Sequence, residues 1–478
     1  MAIHHLESVF FREKVAEALE DQTLRGALQN ATGLFRQRRL AATASLSDWE
    51  KLRDQARAIK AETLTHLDHY LPEFVAKAES NGIKVHWARD HQEACQVISQ
   101  LVSEKQARRI VKSKSMTTEE IGLNHVLETD GAEPIETDLG EWIIQLAGET
   151  PSHIIVPAIH KTKAQIADLF VDQLSIEPTQ DAEELTKAAR RILRHHFAQA
   201  DMGISGVNFA IAETGSILIL ENEGNARMST SLPKVHLAVM GLEKILPRLA
   251  DLEVFLRLLP RSGTGQHLTS YQSILSGPKR NPDQEGPEEL HLLILDNGRS
   301  AILAEEITRQ SLACIRCGAC LNACPVYQQI GGHAYGSVYP GPIGAIITPQ
   351  LAGLSETKNL PYASSLCGAC RDVCPVKIDI PEILLHLRAK SVEAHENGKE
   401  AKGFRMWAWI NRSRFRFVWA HRLARLGGRI FMKNGQPPQW LQRRAPVLGA
   451  WAKHRQVPTL AKRSFREIWK KELSRKQP

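Results

Sequence analysis

The chain has 478 residues, 43% hydrophobic and 24% charged, which is an ordinary globular composition with room for two or three domains. No apolar run approaches the roughly 18–20 residues that a membrane-spanning helix requires. The first residues lack the basic-then-apolar pattern of a secretory signal. Clustered cysteines also fit a reducing compartment better than a disulfide framework. We therefore expect a cytoplasmic protein.

The net charge of +8 is unevenly distributed along the chain. Residues 401–478 contain 20 Lys+Arg against 2 Asp+Glu, whereas the first 400 residues contain 41 against 51. A basic segment of this size can bind anionic lipid, nucleic acid or an acidic protein. Six of the nine tryptophans also lie in residues 397–478. The composition indicates that 397–478 is a separate, basic and Trp-rich C-terminal region.

Residues 1–80 are predicted to form an N-terminal helical region. The stretch 47–50, Ser-Asp-Trp-Glu, is a capping-box pattern that should open a helix at Ser47. Behind it, a set of side chains repeats at helical spacing: Leu52, Ala56, Ile59 and Thr63. These side chains are expected to face a core.

Residues 81–300 alternate between predicted strands and helices. The strands are predicted at 83–87, 109–111, 153–156, 210–214, 216–221, 235–240 and 290–295. Helices are predicted at 90–106 and 163–170, with a second capping box, Thr117 to Glu120, opening another helix. This alternation favours an α/β fold with a mostly parallel sheet covered on both faces. Residues 263–288, rich in glycine and proline pairs, are predicted to be loop.

Seven of the eight cysteines lie in two related runs within residues 301–396. The run Cys314–Pro325 has the C-x2-C-x2-C-x3-C-P spacing of bacterial ferredoxins, and Cys367–Pro375 is the same run without its first cysteine. Thiolates suit iron–sulfur clusters because sulfur is a soft ligand. Structural zinc, the alternative, would favour separated cysteine pairs without this run. The segment 301–396 is therefore predicted to be an α-helical, ferredoxin-like domain with two clusters.

In two-cluster ferredoxins the fourth cysteine of each run binds the other cluster. This rule predicts that one 4Fe-4S cluster is bound by Cys314, Cys317, Cys320 and Cys374. It predicts that the second cluster is bound by Cys324, Cys367 and Cys370. Ser364 stands where that second cluster's fourth cysteine would be. Its hydroxyl could bind iron, the site could hold a 3Fe-4S cluster, His333, water or a substrate could supply the ligand, or Ser364 could be an ordinary loop residue.

The α/β region contains one candidate pocket. Glycine-dense turns in 203–218 would let backbone N–H groups approach an anion, and Glu213 could act as a base. Arg227, which follows Asn225 in a polar loop, could pair with a carboxylate. The segment 112–118 could bind an anion at a helix N-terminus. Turn formation by itself would also explain the glycines.

Other motifs are absent or suggest structural roles. The sequence lacks a G-x-G-x-x-G dinucleotide fingerprint and a phosphate-binding loop, so two-electron chemistry is expected on a partner. Cys95 is predicted to be a buried structural thiol, and His195 and His196 are predicted to be surface residues. The aromatic and arginine-rich stretch 404–422 favours packing onto a partner subunit over contact with a membrane interface or nucleic acid.

Three parts of the sequence resemble the lactate utilization protein B family. The first is 112–225, with Lys-Ser-Lys-Ser-Met-Thr-Thr-Glu-Glu and Ala-Glu-Thr-Gly-Ser-Ile-Leu, continuing to Asp-Asn-Gly-Arg at 296–299. It resembles the LUD domain, whose fold is similar to the isomerase and CoA-transferase-like α/β group. The second is 324–344, which contains Gly-Gly-His-Ala-Tyr-Gly-Ser-Val-Tyr-Pro-Gly-Pro, and the third is the Trp-rich C-terminal region.

The resemblance implies the iron–sulfur subunit of a bacterial system that oxidises L-lactate to pyruvate. It implies a cysteine-rich partner and a smaller LUD-domain partner, and the same seven cysteines as cluster ligands. It assigns no catalytic residue. We therefore expect an electron-transfer component of an L-lactate dehydrogenase complex, passing electrons toward the respiratory chain, rather than the catalytic subunit by itself. The basic C-terminal region offers peripheral contact with the inner face of the membrane.

Two other functions are compatible with the sequence. One is a stand-alone LUD-domain enzyme that acts on a small carboxylate and carries accessory clusters. The other is an iron–sulfur regulator that uses the basic region on nucleic acid, which we consider less favoured.

Overall fold

In the computed structural model, the described residues are 6–394, 399–431 and 463–473, together with Pro438, Trp440, Arg455 and Ala461. The chain forms two compact units, Met1–Ser391 and Val392–Pro478. The largest apolar core of the first unit combines side chains from three predicted regions, for example Leu52, Phe255 and Ile346. The boundaries expected near residues 80, 300 and 396 stay predictions.

The N-terminal region is helical, as the sequence predicts. After a 3-10 turn at Ser8–Phe10 it contains α1 (Phe11–Glu20), α2 (Gln22–Ala44), α3 (Trp49–Thr65) and α4 (Leu67–Ser80). Leu52, Ala56 and Thr63 are buried, as their spacing predicts.

The strands of the first unit form two sheets. They are β1 (Lys84–Ala88), β2 (Arg109–Lys112), β3 (Glu133–Glu136), β4 (Met202–Gly206), β5 (Phe209–Ile211), β6 (Ser216–Glu221), β7 (Val235–Gly241), β8 (Ile245–Leu246), β9 (Tyr271–Leu275) and β10 (Glu289–Leu295). Six strands form a parallel sheet in the order β1-β10-β7-β4-β2-β3, and the order β8-β5-β6-β9 forms a smaller sheet. The predicted parallel α/β architecture is confirmed.

Helices cover both faces of the parallel sheet. Besides α4, the helices of this region are α5 (His91–Glu104), α6 (Met116–Glu120), α7 (Leu123–Thr129), α8 (Leu139–Leu146), α9 (Lys163–Leu174), α10 (Ala182–Ala198) and α11 (Asn225–Ser231), with 3-10 turns at Leu242–Lys244 and Leu249–Asp251. A further helix, α12 (Leu252–Gly263), packs on the smaller sheet, where Phe255 and Phe209 share a core cluster. Successive β7 residues face opposite sides. Val239 packs in the same core cluster as Ile98 of α5, whereas Ala238 packs with Phe74 of α4.

Two predicted capping boxes are wrong. Helix α3 begins at Trp49 with Asp48 at its N-cap and no side-chain capping bond, and the Asp48 carboxylate instead accepts from Arg257 at 3.0 Å. Helix α6 begins at Met116, because the Ser115 hydroxyl accepts the N–H of Thr118 at 3.3 Å. At α6 the neighbouring Ser115 thus takes the place of the expected cap, whereas the start of α3 has no side-chain cap.

Two other predictions fail for local reasons. The stretch 153–156 forms no strand, because the His153 ring accepts the N–H groups of Ile155 and Val156 at 3.0 and 3.2 Å, which replaces ladder pairing. Strand β9 lies inside the predicted loop 263–288. Its side chains are exposed or half-buried, so this edge strand carries no hydrophobic pattern for the sequence to reveal.

The cysteine-bearing segment is made of short helices. They are α13 (Arg299–Ala304), α14 (Glu306–Arg309), α15 (Ala319–Ala323), α16 (Tyr327–Ile330), α17 (Gly341–Ala352), α18 (Leu354–Thr357), α19 (Ala369–Val373) and α20 (Ile380–Ala394), with 3-10 turns at Gln310–Ala313, His333–Tyr335 and Leu360–Tyr362.

The second unit contains α21 (Lys399–Asn411), α22 (Arg414–Phe431), α23 (Phe465–Ile468) and a π-helical turn, Trp469–Leu473. Large aromatic side chains on α21 and α22 are exposed: Phe404, Trp407, Trp409, Phe415 and Trp419. The Arg416 guanidinium lies 4.2 Å from the centre of the Trp409 ring. Among the described helices of the whole chain, none is long and apolar enough to cross a membrane.

Candidate iron–sulfur centres and an adjoining pocket

The two cysteine runs fold as two copies of one motif. Each run contains a Cys-Gly-Ala-Cys stretch, 317–320 or 367–370. The residue before each stretch has a left-handed φ, 59° at Arg316 and 55° at Leu366. A glycine with positive φ follows the first cysteine of each stretch, Gly318 at 70° and Gly368 at 84°. Each glycine opens a short helix, α15 or α19, and these helices pack against each other. The sequence repeat is therefore also a structural repeat.

Four cysteines line one small cavity: Cys314, Cys317, Cys320 and Cys374. The other walls are mainly apolar, as at Ile343 and Val376. Burial raises the pKa of Cys374 to about 11, although the backbone N–H of Ile378 opposes this shift; the nearby Cys314 raises the pKa further. The structure thus brings the last cysteine of the second run to three cysteines of the first.

The remaining three cysteines form a second group. Burial raises the pKa of Cys370 to about 12, and the charges of Cys324 and Cys367 raise it further. The pKa of Cys320 is raised first by burial, then by its neighbours Cys314 and Cys317, and also by Cys370. Cys320 lies on α15 and Cys370 on α19, and these two helices pack against each other, so the two groups of thiols are adjacent.

Ser364 occupies the place in the second motif that Cys314 occupies in the first. The backbone N–H of Arg316 donates to Cys314 Sγ at 3.4 Å, and the N–H of Leu366 donates to Ser364 Oγ at 3.1 Å. Arg388 anchors this loop by donating to the Ser364 carbonyl at 3.2 Å. The Ser364 side chain is thus positioned in the second motif as the Cys314 side chain is in the first.

His333, the alternative ligand, has other contacts. Its Nε2 donates to the Thr150 carbonyl at 2.6 Å, and its ring centre lies 4.5 Å from that of His160. This nitrogen is therefore already engaged by the backbone.

The thiols fit iron–sulfur clusters chemically. All seven are free, and none forms a disulfide. Backbone N–H groups point at sulfur, as in the contact from Ile378 to Cys374 Sγ at 3.4 Å. Hydrogen bonds to sulfur and burial are the features by which proteins tune such clusters.

The N-terminal helices support the cysteine segment, which the sequence did not indicate. Buried Arg53 of α3 donates to the Cys374 carbonyl at 3.0 and 2.8 Å and to the Asp372 carbonyl at 2.9 Å. Arg39 of α2 donates to the Val373 carbonyl at 3.1 Å. In the sequence, the only indication of this role is that Arg53 lies next to Leu52, which belongs to the set of side chains predicted to face a core.

A buried ionic network joins the α/β region to the cysteine segment. Arg299 donates to both carboxylate oxygens of Glu120 at 2.9 and 2.8 Å and to Glu243 at 2.8 Å. The Tyr339 hydroxyl donates to Glu120 at 2.6 Å, and the Arg316 guanidinium lies 4.7 Å from the centre of the Tyr339 ring. The network explains why Arg299, within the 296–299 motif, is fully buried.

A pocket of about 360 Å³ lies beside this network. It is lined by Lys114 after β2, Asn208 after β4 and Asn225 at the start of α11, and by Arg316 from the first cysteine run. The structure therefore places the candidate turn 203–218 partly in a pocket, through Gly206 and its neighbours.

Three residues proposed for this pocket have other roles. Glu213 is exposed in the β5–β6 turn, where it accepts the N–H of Leu249 at 2.8 Å. Buried Lys112 donates to Glu136 at 2.5 Å. Arg227 lies over the Tyr271 ring at 5.9 Å. Glu213, Lys112 and Arg227 therefore do not line this pocket, whereas residues 113–117 of the predicted anion-binding segment 112–118 do.

The buried structural role predicted for Cys95 and the surface position predicted for His195 are confirmed, whereas His196 is only partly exposed. Cys95 is buried and its Sγ donates to the Ile121 carbonyl at 3.5 Å, while burial raises its pKa to about 11. His195 is exposed, and His196 is half-buried on the same helix, α10.

Comparison with known families matches three consecutive parts of the chain. Residues 71–295 match the LUD domain, residues 310–378 match the 4Fe-4S dicluster domain, and residues 387–474 match the C-terminal domain of lactate utilisation protein B. The matches agree with the α/β sheet and with the paired cysteine motifs.

Close relatives extend along nearly the whole chain. The lactate utilization protein B of Oceanobacillus iheyensis is 43% identical over 466 residues, which is 96% of each chain. That of Bacillus pumilus is 43% identical over 470 residues, or 98% of each chain. The electron transport protein YkgF of Escherichia coli is 43% identical over 462 residues, or 96% of each chain. The chain therefore belongs to the lactate utilization protein B family.

Proposed function

We propose that this chain is the iron–sulfur electron-transfer subunit of an L-lactate oxidation system, which passes electrons from lactate toward the respiratory chain. The observation that carries the proposal is the pair of adjacent thiol groups, since Cys320 lies on α15 and Cys370 on α19, and these helices pack against each other. Its relatives are named for lactate utilization and for electron transport. Two adjacent clusters of this type supply one-electron carriers in series.

The proposed ligands follow the grouping of the thiols. Cluster 1 would be held by Cys314, Cys317, Cys320 and Cys374. Cluster 2 would be held by Cys324, Cys367 and Cys370, with the Ser364 hydroxyl as its fourth ligand. The chain's own contribution is to bury the sulfurs and to donate backbone N–H groups to them.

Anaerobic purification of the full chain tests this function. We expect about eight irons per chain and two paramagnetic centres on reduction, as two 4Fe-4S clusters require. Lactate should reduce these centres only after partner subunits are added. Stoichiometric zinc in place of iron would refute the relay, and lactate-dependent dye reduction by the isolated chain would favour the stand-alone enzyme.

The crossed ligand assignment has its own test. Cys374→Ala should remove the same electron paramagnetic resonance signal as Cys317→Ala, because both residues would bind cluster 1. Cys324→Ala should instead remove the signal that Cys370→Ala removes. If Cys324→Ala and Cys317→Ala abolish the same signal, the runs do not cross.

The partners proposed are a cysteine-rich subunit and a small LUD-domain subunit, in the cytoplasm or at the inner face of the membrane. The exposed aromatic and basic side chains of α21 and α22 suit docking onto such a partner, because aromatic residues and arginine are enriched at protein interfaces. A full chain that carries both Trp407→Ala and Trp409→Ala should no longer co-purify with these partners. Retention of both partners would exclude this surface.

A further inference from the structure

The pocket of about 360 Å³ lies at the topological switch point of the parallel sheet. The chain passes from β2 to β3 on one side and then returns to β4 on the other side of β2. Ligands of open α/β sheets bind at the carboxyl ends of strands at such a point. Lys114 follows β2, and Gly206 ends β4, and both line this pocket.

Two cations in the pocket wall have unused donors. Lys114 Nζ is buried and has no hydrogen-bond partner among the described residues; Glu141 Oε2 lies 3.9 Å away, too far to accept. Arg316 Nη1 is also buried and unpartnered within that part of the chain, although its Nη2 lies 3.7 Å from Glu243. The Arg316 side chain is only 10% exposed. Leaving a buried donor without an acceptor is energetically unfavourable, so both atoms favour an anionic ligand.

The acids of the pocket wall are already used as acceptors. Asp138 accepts the N–H of Glu141 at 3.1 Å, and Glu223 accepts that of Leu139 at 3.1 Å. Glu221 accepts two N–H groups, from Ala226 and Arg227, at 2.7 Å each. Each of these three lining acids thus accepts at least one backbone N–H. Glu141, which is outside the lining and 3.9 Å from Lys114, has two buried oxygens without a hydrogen-bond partner among the described residues.

The pocket shares a wall with the cavity of the first cysteine group. Ile154, Ile315 and Arg316 line both spaces. Gly263 at the end of α12 is also tightly packed there, since a Cβ on it would lie 2.8 Å from the Cys317 carbonyl oxygen. A ligand in the pocket would thus lie against the backbone that carries Cys314 and Cys317.

We propose that this pocket is a small-carboxylate site, in which the carboxylate accepts hydrogen bonds from Lys114 Nζ and Arg316 Nη1. A cavity of this size matches the lower range of small-molecule sites, about 300–1,000 Å³. The anion site stands on the pocket geometry, whereas its assignment to 2-hydroxy and 2-oxo acids rests on the proposed function. The site would then place the electron donor or its product directly beside cluster 1.

The test is anaerobic titration calorimetry of the full chain with its clusters. L-lactate, pyruvate and inorganic phosphate are the three ligands, and Lys114→Met is compared with Lys161→Met. Lys161 is a matched control outside the pocket: its side chain is 13% exposed against 15% for Lys114, and it is paired with Glu149. We expect lactate or pyruvate to bind wild type and Lys161→Met alike and Lys114→Met at least tenfold more weakly.

A second readout needs no variant. Binding at the shared wall should shift the electron paramagnetic resonance signal of cluster 1, and not that of cluster 2, when lactate or pyruvate is added to the reduced wild-type chain. Equal binding of phosphate, no binding of either acid, or unchanged affinity in Lys114→Met with an unshifted signal would overturn the carboxylate site. A chain with two reducible clusters and no carboxylate binding refutes the pocket but leaves the relay in place. A chain that binds carboxylate without holding iron refutes the relay instead.

Discussion

The backbone N–H of Leu366 lies 3.1 Å from Ser364 Oγ and donates a hydrogen bond to it. In the first motif the N–H of Arg316 donates to Cys314 Sγ in the same way, at 3.4 Å. The equivalence places an oxygen where the other motif has a sulfur. Under the proposed assignment, Ser364 Oγ is therefore the atom positioned to serve as the fourth ligand of cluster 2.

Ser364→Ala should remove this ligand and leave one iron of cluster 2 without a protein ligand. We expect mild oxidation to release about one iron per chain from this variant and to yield a 3Fe-4S signal. Ser364→Cys should retain its iron under the same oxidation. Iron analysis and electron paramagnetic resonance provide the measurement, with Ser355→Ala, an exposed serine in α18, as control. Iron retention by Ser364→Ala equal to wild type would make Ser364 a loop residue only.

Arg299 should be critical for stability, because it neutralises two buried carboxylates, Glu120 and Glu243. Arg299→Met leaves both charges without their main partner, and such a loss typically costs about 3–5 kcal/mol. The free energy of unfolding, measured by anaerobic urea titration, should fall by that amount. Arg89→Met provides the control, since the Arg89–Glu93 pair is on the surface, with the Arg89 side chain 88% exposed, and should contribute less than about 1 kcal/mol. Equal losses in the two variants would contradict the prediction.

Arg53 should slow the loss of cluster 1. Arg53→Met removes the Arg53 hydrogen bonds to the Cys374 and Asp372 carbonyls. The Cys374 carbonyl keeps the N–H of Lys377, so the cost is about 1–3 kcal/mol for the Asp372 carbonyl that loses its donor. If opening of this loop limits iron release, the rate of bleaching by a chelator should rise about tenfold or more. Exposed Arg57, on the same helix, supplies the control substitution Arg57→Met. Bleaching rates that match in both variants would show that the Arg53 contacts do not hold the cluster.

His236 should make the protein less stable in mild acid. It is buried in the centre of β7, where Nε2 pairs with Ser205 Oγ at 2.7 Å, and burial lowers its pKa from 6.5 to about 3, helped by the nearby His291. Below pH 6.5 the unfolded chain takes up a proton that the folded chain refuses, so stability falls as pH falls, by about 1.4 kcal/mol per unit.

The measurement compares the free energy of unfolding of wild type and His236→Gln at about pH 7 and pH 5. Wild type should lose about 2 kcal/mol more of its free energy of unfolding than the variant over this interval. His236 contributes to the pH dependence only below its pKa in the unfolded chain, 6.5. If the two proteins showed the same pH dependence, His236 would take up its proton in the folded chain at the same pH as in the unfolded chain, and the prediction would be wrong. Because the readout is a difference, other titrating groups largely cancel.

Features that depend on nearby residues were predictable from the sequence. The spacing of the cysteine runs indicated iron–sulfur ligands, because the loop geometry that presents three sulfurs is encoded within seven residues. The alternation of strand and helix patterns predicted the parallel sheet. Strand β7, whose residues are all buried, agrees with a sheet that is covered on both faces. Local patterns failed at His153, whose ring captures the backbone, and at β9, whose edge position leaves no apolar alternation.

The sequence by itself thus determined the kind of cofactor and the fold class, both of which are written in short-range spacing. Only the tertiary structure decided that Arg299 joins Glu120 to Glu243, that Arg53 supports the Cys374 backbone, and that Lys114 rather than Glu213 faces the pocket. These partners are separated by dozens to hundreds of residues, and polar residues at such separations carry no periodic signal. Their pairing is determined by where the folded elements meet and by the cost of burying a charge without a partner.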